Sequence, residues 1–254
     1  MNAIDEYKAA RDEQIAKNQK NDVLQRARND FFGHIVTSNY VKNFTWMGVP
    51  ILQLPNDLMV LQEIIWDVRP DVILETGIAF GGMLMFYATC LNAIGGGGRV
   101  VGIDNEIRDF NRLTINRHPL RNRIDLIECN STDPNAAEWF SKRWKNMKVL
   151  ISLDSDHTYE HVLKELRIYA PMVSVGSYIV VFDTTIEFYG HFDPDVNRRP
   201  WSRGHCNNPY WAVQSFLREN SDFVVDGNVE QRALITAAPG GWLRRVKNGT
   251  YTGH

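Results

Sequence analysis

Short apolar runs and helically spaced apolar positions alternate along the middle of this chain. The apolar runs predict five buried strands, at residues 72–74, 99–104, 124–128, 149–154 and 178–183. Apolar residues at helical spacing predict helices at residues 56–68, from the glycine turn to residue 93, and at 160–169. Strands that alternate with helices in this way predict an α/β fold with a doubly wound parallel sheet.

The two ends of the chain follow other patterns. Residues 3–30 are rich in charge and sparse in apolar positions, which predicts one or two surface helices that pack loosely or against a partner, including a second copy of the chain. Residues 223–225 and 233–236 are apolar and predict a terminal antiparallel hairpin. We therefore divide the chain into an N-terminal helical extension, 1–43, and an α/β domain, 44–254.

A long segment rich in proline, arginine and aromatic residues separates the fifth strand from the terminal hairpin. It covers residues 184–209 and carries no clear periodicity. Segments of this length in a compact domain are often lids or binding loops, although a plain surface loop is the alternative.

A glycine turn follows the first strand, in the run Gly77-Ile78-Ala79-Phe80-Gly81-Gly82. Glycines let a backbone approach a ligand closely, and the helix that follows points free N–H groups at it. The run lacks the middle glycine of a dinucleotide fingerprint, and an acid, Glu75, lies just before it. This pattern favours a cofactor with a cationic amino-acid part and no phosphates, such as S-adenosylmethionine, held by Glu75, Gly77, Ala79, Gly81 and Gly82. An ordinary strand-to-helix turn is the alternative.

Acidic residues stand at the ends of four predicted strands: Glu75, Asp104, Asp154 and Asp183. The carboxyl ends of parallel strands line one edge of a sheet, so these acids are expected to converge. Asp104, after the second strand, is placed to accept hydrogen bonds from ribose hydroxyls. Asn130 and Ser131, after the third strand, are candidates for the adenine, or equally for a turn and a helix start.

Asp154 and Asp183 end the strands beyond the predicted cofactor, where a substrate would lie. Two carboxylates there suit Mg²⁺ held together with waters and substrate oxygens. Such an ion lowers the pKa of a bound hydroxyl. His157, three residues after Asp154, is a candidate general base. The alternatives are a helix-capping Asp154 and a histidine without a catalytic role.

Composition narrows the function classes. The 254 residues carry a net charge of −2, which does not suggest a nucleic-acid surface. No apolar run approaches the ~20 residues that span a bilayer, and the polar N-terminus lacks the apolar core of a signal peptide. Three widely spaced cysteines are expected to be reduced thiols, which indicates a cytoplasmic protein.

A second metal pattern lies within residues 184–209. His191, Asp193 and the later His205 match the two-histidine, one-carboxylate set of non-haem iron oxygenases. That pattern is common by chance, and the chain lacks the many alternating strands of a β-roll oxygenase.

Several motifs resemble the cephalosporin hydroxylase family, a branch of the class I S-adenosylmethionine-dependent methyltransferases. They are TWMGVPILQLPND (45–57), ETGIAFGG (75–82), VVGID (100–104), LDSDHTYEHVLKEL (153–166) and SVGSYIVVFDT (174–184). The resemblance implies a Rossmann-like, seven-stranded sheet with a reversed last strand. Many relatives resemble O-methyltransferases of sugars in polysaccharide, glycolipid or antibiotic pathways.

The resemblance also implies metal ligands at Asp154 and Asp183. Phe182 stands where some members have glutamate, and Thr184 stands where metal-dependent catechol-type relatives have asparagine, so Thr184 is expected to offer only a hydroxyl. The expected activity is Mg²⁺-assisted O-methylation of a hydroxyl on a sugar or glycosylated natural product, with His157 or Asp154 taking the proton. An iron oxygenase and an inactive cofactor-binding module are the alternatives.

Overall fold

The computed structural model describes residues 2–193, 195–202 and 206–248. Its helices are α1 (Ala3–Gln19), α2 (Asp22–Thr37), α3 (Pro55–Val68), α4 (Gly82–Ala93), α5 (Asp109–Arg117), α6 (Pro134–Arg143), α7 (Tyr159–Tyr169), α8 (Ile186–Tyr189), α9 (Pro209–Glu219) and α10 (Gly227–Ala233). Its strands are β1 (Thr45–Trp46), β2 (Val49–Pro50), β3 (Val72–Thr76), β4 (Arg99–Asp104), β5 (Ile124–Glu128), β6 (Val149–Leu153), β7 (Tyr178–Val181), β8 (Phe223–Val225) and β9 (Trp242–Arg245).

Seven of these strands form one twisted sheet in the order β5-β4-β3-β6-β7-β9-β8. The first five run parallel, whereas β9 is antiparallel to both of its neighbours. The chain reverses its direction of winding between β3 and β6, and ligands bind at such a switch point, beyond the carboxyl ends of the strands. The predicted Rossmann-like seven-stranded fold is therefore confirmed.

Apolar side chains cover both faces of the sheet, which is why the central strands are mainly apolar. One core joins the sheet to α3, α4 and α10, and the other joins it to α6, α7 and α9. Every residue of β3, β6 and β7 is buried. Parallel strands covered on both sides are expected to be nearly continuous apolar runs, and in these three strands only Glu75 and Thr76 in β3 and Ser152 in β6 depart from that pattern.

The terminal strand pair exists, but its second strand is not the one predicted. Residues 223–225 are β8, whereas residues 233–236 contain the end of α10 and a turn, and the partner strand is Trp242–Arg245. The apolar residues at 233–236 are partly buried for another reason: the end of α10 packs on α3. A short hairpin, β1–β2, was also not predicted, because two-residue strands leave no periodicity.

The two N-terminal helices differ in how they meet the rest of the protein. None of the residues of α1 is buried, whereas α2 buries Phe32, Gly33 and Ile35. The predicted surface helices are thus present, and α2 packs on the main body. No helix in the described ranges combines the length and the apolar character needed to cross a membrane.

The described part of residues 184–209 is more ordered than a structureless loop. It forms α8 and three short 3₁₀ turns before α9 begins at residue 209. The predicted role as a lid or binding loop stays a prediction.

Candidate active site

The glycine turn after β3 is held tightly against the end of β6. Gly77 has φ +79°, and a Cβ atom there would lie 2.0 Å from the carbonyl oxygen of Asp154. Gly82 approaches the β1–β2 hairpin in the same way, because its Cβ would lie 2.2 Å from the carbonyl oxygen of Pro50. Close backbone contacts therefore account for both glycines. Ala79 (φ +44°) and Gly81 (φ +88°) complete the left-handed positions of the turn.

A cavity of about 320 Å³ opens beside this turn at the carboxyl ends of the strands. It is lined by Gly77, Asp104, Asn130, Ser131, Ser155 and His161, among others. The structure thus brings together the residues that the sequence assigned to the ribose and the adenine.

Asp104 ends β4 and also supports the glycine turn. Its carboxylate accepts hydrogen bonds from the backbone N–H of Ile78 at 2.9 Å and of Glu106 at 3.2 Å. Each oxygen keeps a further lone pair, since a carboxylate offers about four acceptor positions. Asp104 can therefore hold the turn in place and accept from ligand hydroxyls at the same time.

Glu75 is almost completely buried under the turn, at 1% exposure. Burial raises the pKa of its carboxyl well above the ordinary value, and the charges of Asp154 and Asp104 raise it further. Among the described residues, its Oε2 atom has no hydrogen-bond partner. Glu75 lies two residues before Gly77, which lines the cavity, and an unpartnered buried carboxyl oxygen at that place fits a cationic ligand group, such as the amino-acid end of S-adenosylmethionine.

Asp154, His157 and Asp183 meet at the ends of β6 and β7. The Nε2 atom of His157 lies 3.0 Å from Oδ2 of Asp183 and 3.6 Å from Oδ1 of Asp154. One donor atom from each side chain falls within 4.8 Å of the other two. Within the described ranges, this is the group of three such side chains close enough to share a metal ion.

The protonation of this cluster follows from burial and mutual charge. Burial raises the pKa of Asp154 to about 6, although the hydrogen bond with His157 opposes the shift. Burial also disfavours the charged forms of Asp183 and His157, but their attraction prevails. It lowers the pKa of Asp183 and raises that of His157 well above its ordinary value. The site therefore stabilises positive charge between two carboxylates.

The donor set fits Mg²⁺, which prefers carboxylate oxygens and keeps several waters. Thr184, the third predicted ligand, is buried, and its hydroxyl donates to the carbonyl oxygen of Pro239 at 2.8 Å. Phe182 lies in the core against Trp242, with ring centroids 6.0 Å apart, so it takes no part in the cluster. Two aspartates and His157 are thus the acidic and imidazole groups close to a candidate ion, and Thr184 as a third ligand stays a prediction.

A second cavity, of about 390 Å³, is bordered by His157 and Asp183. Its polar lining also includes Lys42, Gln53 and Arg199. This space adjoins the candidate metal ligands, which is where an acceptor hydroxyl would have to lie.

Sequence reasoning gave no role to three polar residues of the first cavity, Asn105, Ser155 and Asp156. It also missed His161. Its Nε2 lies 3.0 Å from the hydroxyl of Ser131 and 3.4 Å from the carboxylate of Glu165. Glu165 is fully buried on the apolar face of α7. A charged residue in that apolar stripe is the sequence signal that could have marked this side of the cavity.

The alternative iron set stays untested as a whole, because His205 lies outside the described residues. Asp193 accepts from the backbone N–H of Asp195 and pairs with Arg199 at 2.9 Å. In the described segments, His191 and Asp193 do not form part of any three-residue group close enough to share a metal.

Comparisons with known proteins agree with this geometry. The family model described as Rhamnosyl O-methyltransferase/CmcI matches residues 38–246. The rhamnosyl O-methyltransferase of Mycobacterium tuberculosis is 30% identical over 219 residues, which cover 85% of this chain and 82% of the relative. That of Mycobacterium leprae is 32% identical over 212 residues, covering 82% and 86%.

Solved structures show the same fold. A CmcI structure with Mg and SAM superposes with a TM-score of 0.56 at 19% identity, over 81% of this chain and 78% of that one. An apo structure of CmcI gives a TM-score of 0.55 at 19% identity, over 82% and 78%. The sheet, the matched segment and the relatives together confirm the resemblance: this chain belongs to the Rhamnosyl O-methyltransferase/CmcI family.

Proposed function

We propose that this protein is an S-adenosylmethionine-dependent, Mg²⁺-assisted O-methyltransferase that acts on a hydroxyl of a sugar or a glycosylated compound. The observation that carries the proposal is that the segment from Asp154 to His157 borders two cavities: Ser155 and Asp156 line the one at the glycine turn, and His157 lines the other together with Asp183. A methyl donor and an acceptor must meet at one point, and the two spaces share this segment. The mycobacterial relatives named rhamnosyl O-methyltransferases support a sugar acceptor.

The first cavity holds the cofactor in this proposal. Asp104 accepts from the ribose hydroxyls, and Asn130 and Ser131 contact the adenine. Glu75 and the turn formed by Gly77, Ala79, Gly81 and Gly82 hold the amino-acid end. The buried, unpartnered oxygen of Glu75 supports that orientation, since it would gain a cationic neighbour.

Asp154 and Asp183 hold the ion, and Thr184 orders the backbone beside them through its bond to Pro239. When bound, S-adenosylmethionine supplies an electrophilic methyl group, and Mg²⁺ lowers the pKa of the acceptor hydroxyl. In its neutral form, His157 would accept the proton of the acceptor hydroxyl at Nε2, the atom that lies 3.0 Å from Asp183. Asp154 is the alternative base. Positioning the acceptor oxygen in line with the methyl group supplies much of the rate.

We further infer that the chain works in the cytoplasm and binds no nucleic acid. Its three cysteines are free thiols and its net charge is −2, which support both points. Association of two copies through the N-terminal helices, and the division into 1–43 and 44–254, belong to this proposal as well.

Chelation separates the role of the metal from that of the cofactor. We expect exhaustive treatment with EDTA to abolish methyl transfer from S-adenosylmethionine to a rhamnoside, and added Mg²⁺ to restore it. Binding of S-adenosylhomocysteine, measured by calorimetry, should be nearly unchanged, because the cofactor uses other residues.

The variant Asp104→Ala, in contrast, should weaken cofactor binding. We expect a loss of ~1.5–3 kcal/mol, the value of a hydrogen bond to a charged group.

Three results would contradict parts of the proposal. Full activity after chelation would remove the metal role and leave His157 as the base. Cofactor binding without turnover on any acceptor would favour the inactive module, and oxygen-dependent hydroxylation without S-adenosylmethionine would favour the iron oxygenase.

A further inference from the structure

Helix α7 carries two polar side chains next to the first cavity, His161 and Glu165. They are four residues apart, so both side chains lie on the same side of the helix. His161 lines the cavity, whereas Glu165 contacts His161 and is fully buried, at 0% exposure. The proposed reaction gives no role to Glu165, although a buried carboxylate is costly to hold.

One oxygen of Glu165 holds the loop that follows β6. Its Oε1 atom accepts a hydrogen bond from the hydroxyl of Ser155 at 2.8 Å. Ser155 lines the cavity and directly follows Asp154. It also lies against the glycine turn, since a Cβ atom at Gly77 would be 2.7 Å from the Cα atom of Ser155. Glu165 therefore fixes a loop that borders the cofactor space and carries a candidate metal ligand.

The same oxygen reaches the loop that follows β5 through His161. The Nε2 atom of His161 lies 3.4 Å from Oε1 of Glu165 and 3.0 Å from the hydroxyl of Ser131. Burial lowers the pKa of His161, but the hydrogen bond with Glu165 and the charge of Glu165 outweigh it, so the pKa is raised overall. A carboxylate can only accept, so Nε2 carries a hydrogen and also donates to the Ser131 oxygen. The hydroxyl hydrogen of Ser131 is then free to donate to a ligand.

The other oxygen of Glu165 determines what the residue does for stability. Its Oε2 atom is buried and has no hydrogen-bond partner among the described residues. A carboxylate that loses its hydration without full compensation adds little to the free energy of folding or opposes it. What Glu165 supplies is instead the connection between the two loops.

We propose that Glu165 is a positioning residue for the cofactor: its carboxylate joins the loop after β5 to the loop after β6, through His161 and Ser155, and so fixes the cavity in its binding shape. The inference rests on the proposed function for the identity of the ligand, S-adenosylmethionine. Tyr169, on the same helix, supports the arrangement, because its hydroxyl donates to the carbonyl oxygen of Ser131 at 2.6 Å. Helix α7 thus holds Ser131 at two atoms.

A substitution of similar shape separates positioning from stability. Glu165→Met removes the carboxylate and keeps an unbranched side chain in the buried space. We expect its Tm to equal or exceed that of the wild type, because the buried charge is gone. Calorimetric titration of the full chain with S-adenosylhomocysteine should show binding weakened about tenfold or more, the factor that one hydrogen bond to a charged group is worth.

A conservative variant and a matched control complete this comparison. Glu165→Gln keeps an acceptor oxygen for Ser155 and His161, so it should recover most of the affinity that Glu165→Met loses. Glu160→Met makes the same change at an exposed position of α7 and should leave the affinity for S-adenosylhomocysteine unchanged.

The two loops can also be released one at a time. His161→Ala frees the loop after β5, and Ser155→Ala frees the loop after β6. Each should weaken the binding of S-adenosylhomocysteine, and the double variant should lose less affinity than the sum of the two losses, because both act through Glu165. These variants test the connection even if Glu165→Met does not fold.

Four outcomes would overturn the positioning role. Unchanged affinity in Glu165→Met would do so and leave the proposed function in place. Weaker binding that comes with a lower Tm, and that Glu165→Gln does not restore, would make Glu165 a structural residue. Additive losses in the double variant would show that the two loops are not joined. A wild-type chain that does not bind S-adenosylhomocysteine would overturn this inference and the cofactor of the proposed function together.

Discussion

Asp57 is a carboxyl group that the protein buries completely at the start of α3. Its Oδ2 atom accepts from the backbone N–H of Ala237 at 2.8 Å, whereas Oδ1 has no partner among the described residues. Burial raises the pKa of Asp57 to about 7, against the opposing hydrogen bonds from Thr236 and Ala237. Holding a charge there therefore costs stability.

The pH dependence of stability should reveal this cost. The pKa of Asp57 is higher in the folded than in the unfolded chain, so the free energy of unfolding should fall as pH rises from about 4 to about 7. Each pKa unit is worth ~1.4 kcal/mol, which makes the loss a few kcal/mol. Asp57→Asn cannot ionise and still accepts from Ala237, so its Tm should decline less over this range.

The matched control is Asp67→Asn, on the exposed face of the same helix. Its Tm should follow that of the wild type at every pH. Parallel curves for Asp57→Asn and the wild type would show that Asp57 is charged at little cost.

For some single residues of the candidate site, the sequence was sufficient to predict their position. Asp104, Asp154 and Asp183 could be placed because each follows an apolar run, and the ends of parallel strands share one edge. His161 and Gln53 could not, since their roles depend on which elements pack together. Nothing in their local pattern distinguishes a cavity-lining histidine or glutamine from a surface one.

At the scale of elements, the site depends on the contact between the turn after β3 and the end of β6. A Cβ atom at position 77 would overlap the Asp154 carbonyl oxygen at 2.0 Å, and the positive φ adds strain to any other residue. The glycine turn and Asp154 therefore keep a fixed spacing.

Gly77→Ala should break this spacing. We expect a loss of more than about 2 kcal/mol in the free energy of unfolding, from overlap and backbone strain, and a loss of methyl transfer even where the variant folds. Gly97→Ala is the control, because a Cβ atom there meets nothing within 4 Å. Urea unfolding of both variants measures the difference, and equal midpoints would show that the β3 turn can relax.

The elements that the sequence did not predict were short or had an ambiguous pattern of apolar residues. The apolar residues 233–236 have the pattern of a strand, but in the structure they form the end of α10 and a turn. The strand that pairs with β7 and β8 is instead Trp242–Arg245, which contains two arginines. A short apolar run cannot by itself distinguish a strand from a buried helix end.

At the scale of the whole molecule, α1 and α2 contribute differently to stability. No residue of α1 is buried, and apolar burial is the main source of folding energy. A chain that begins at residue 21 should therefore keep its Tm within about 2 °C of the full-length protein and keep its methyl transfer. Thermal unfolding and an activity assay measure both quantities.

A longer deletion provides the contrast. A chain that begins at residue 38 loses Phe32 and Ile35 from the core, so its Tm should fall by several degrees or more. Sedimentation of all three chains also tests the predicted assembly, because a partner held by α1 would be lost with the first deletion. A large drop in Tm on removing α1 alone would mean that it is buried in an oligomer.

The position of α2 has a consequence for chimaeric enzymes of this family. Asp154, His157 and Asp183 lie inside the segment shared with the family, whereas Phe32 and Ile35, which line the second cavity, lie before it. The second cavity is thus bordered by residues from both stretches, because Tyr189 and Trp201, which line it as well, lie inside the matched segment. A chimaera that exchanges the N-terminal helix should therefore alter one part of this cavity and keep Asp154, His157 and Asp183 unchanged.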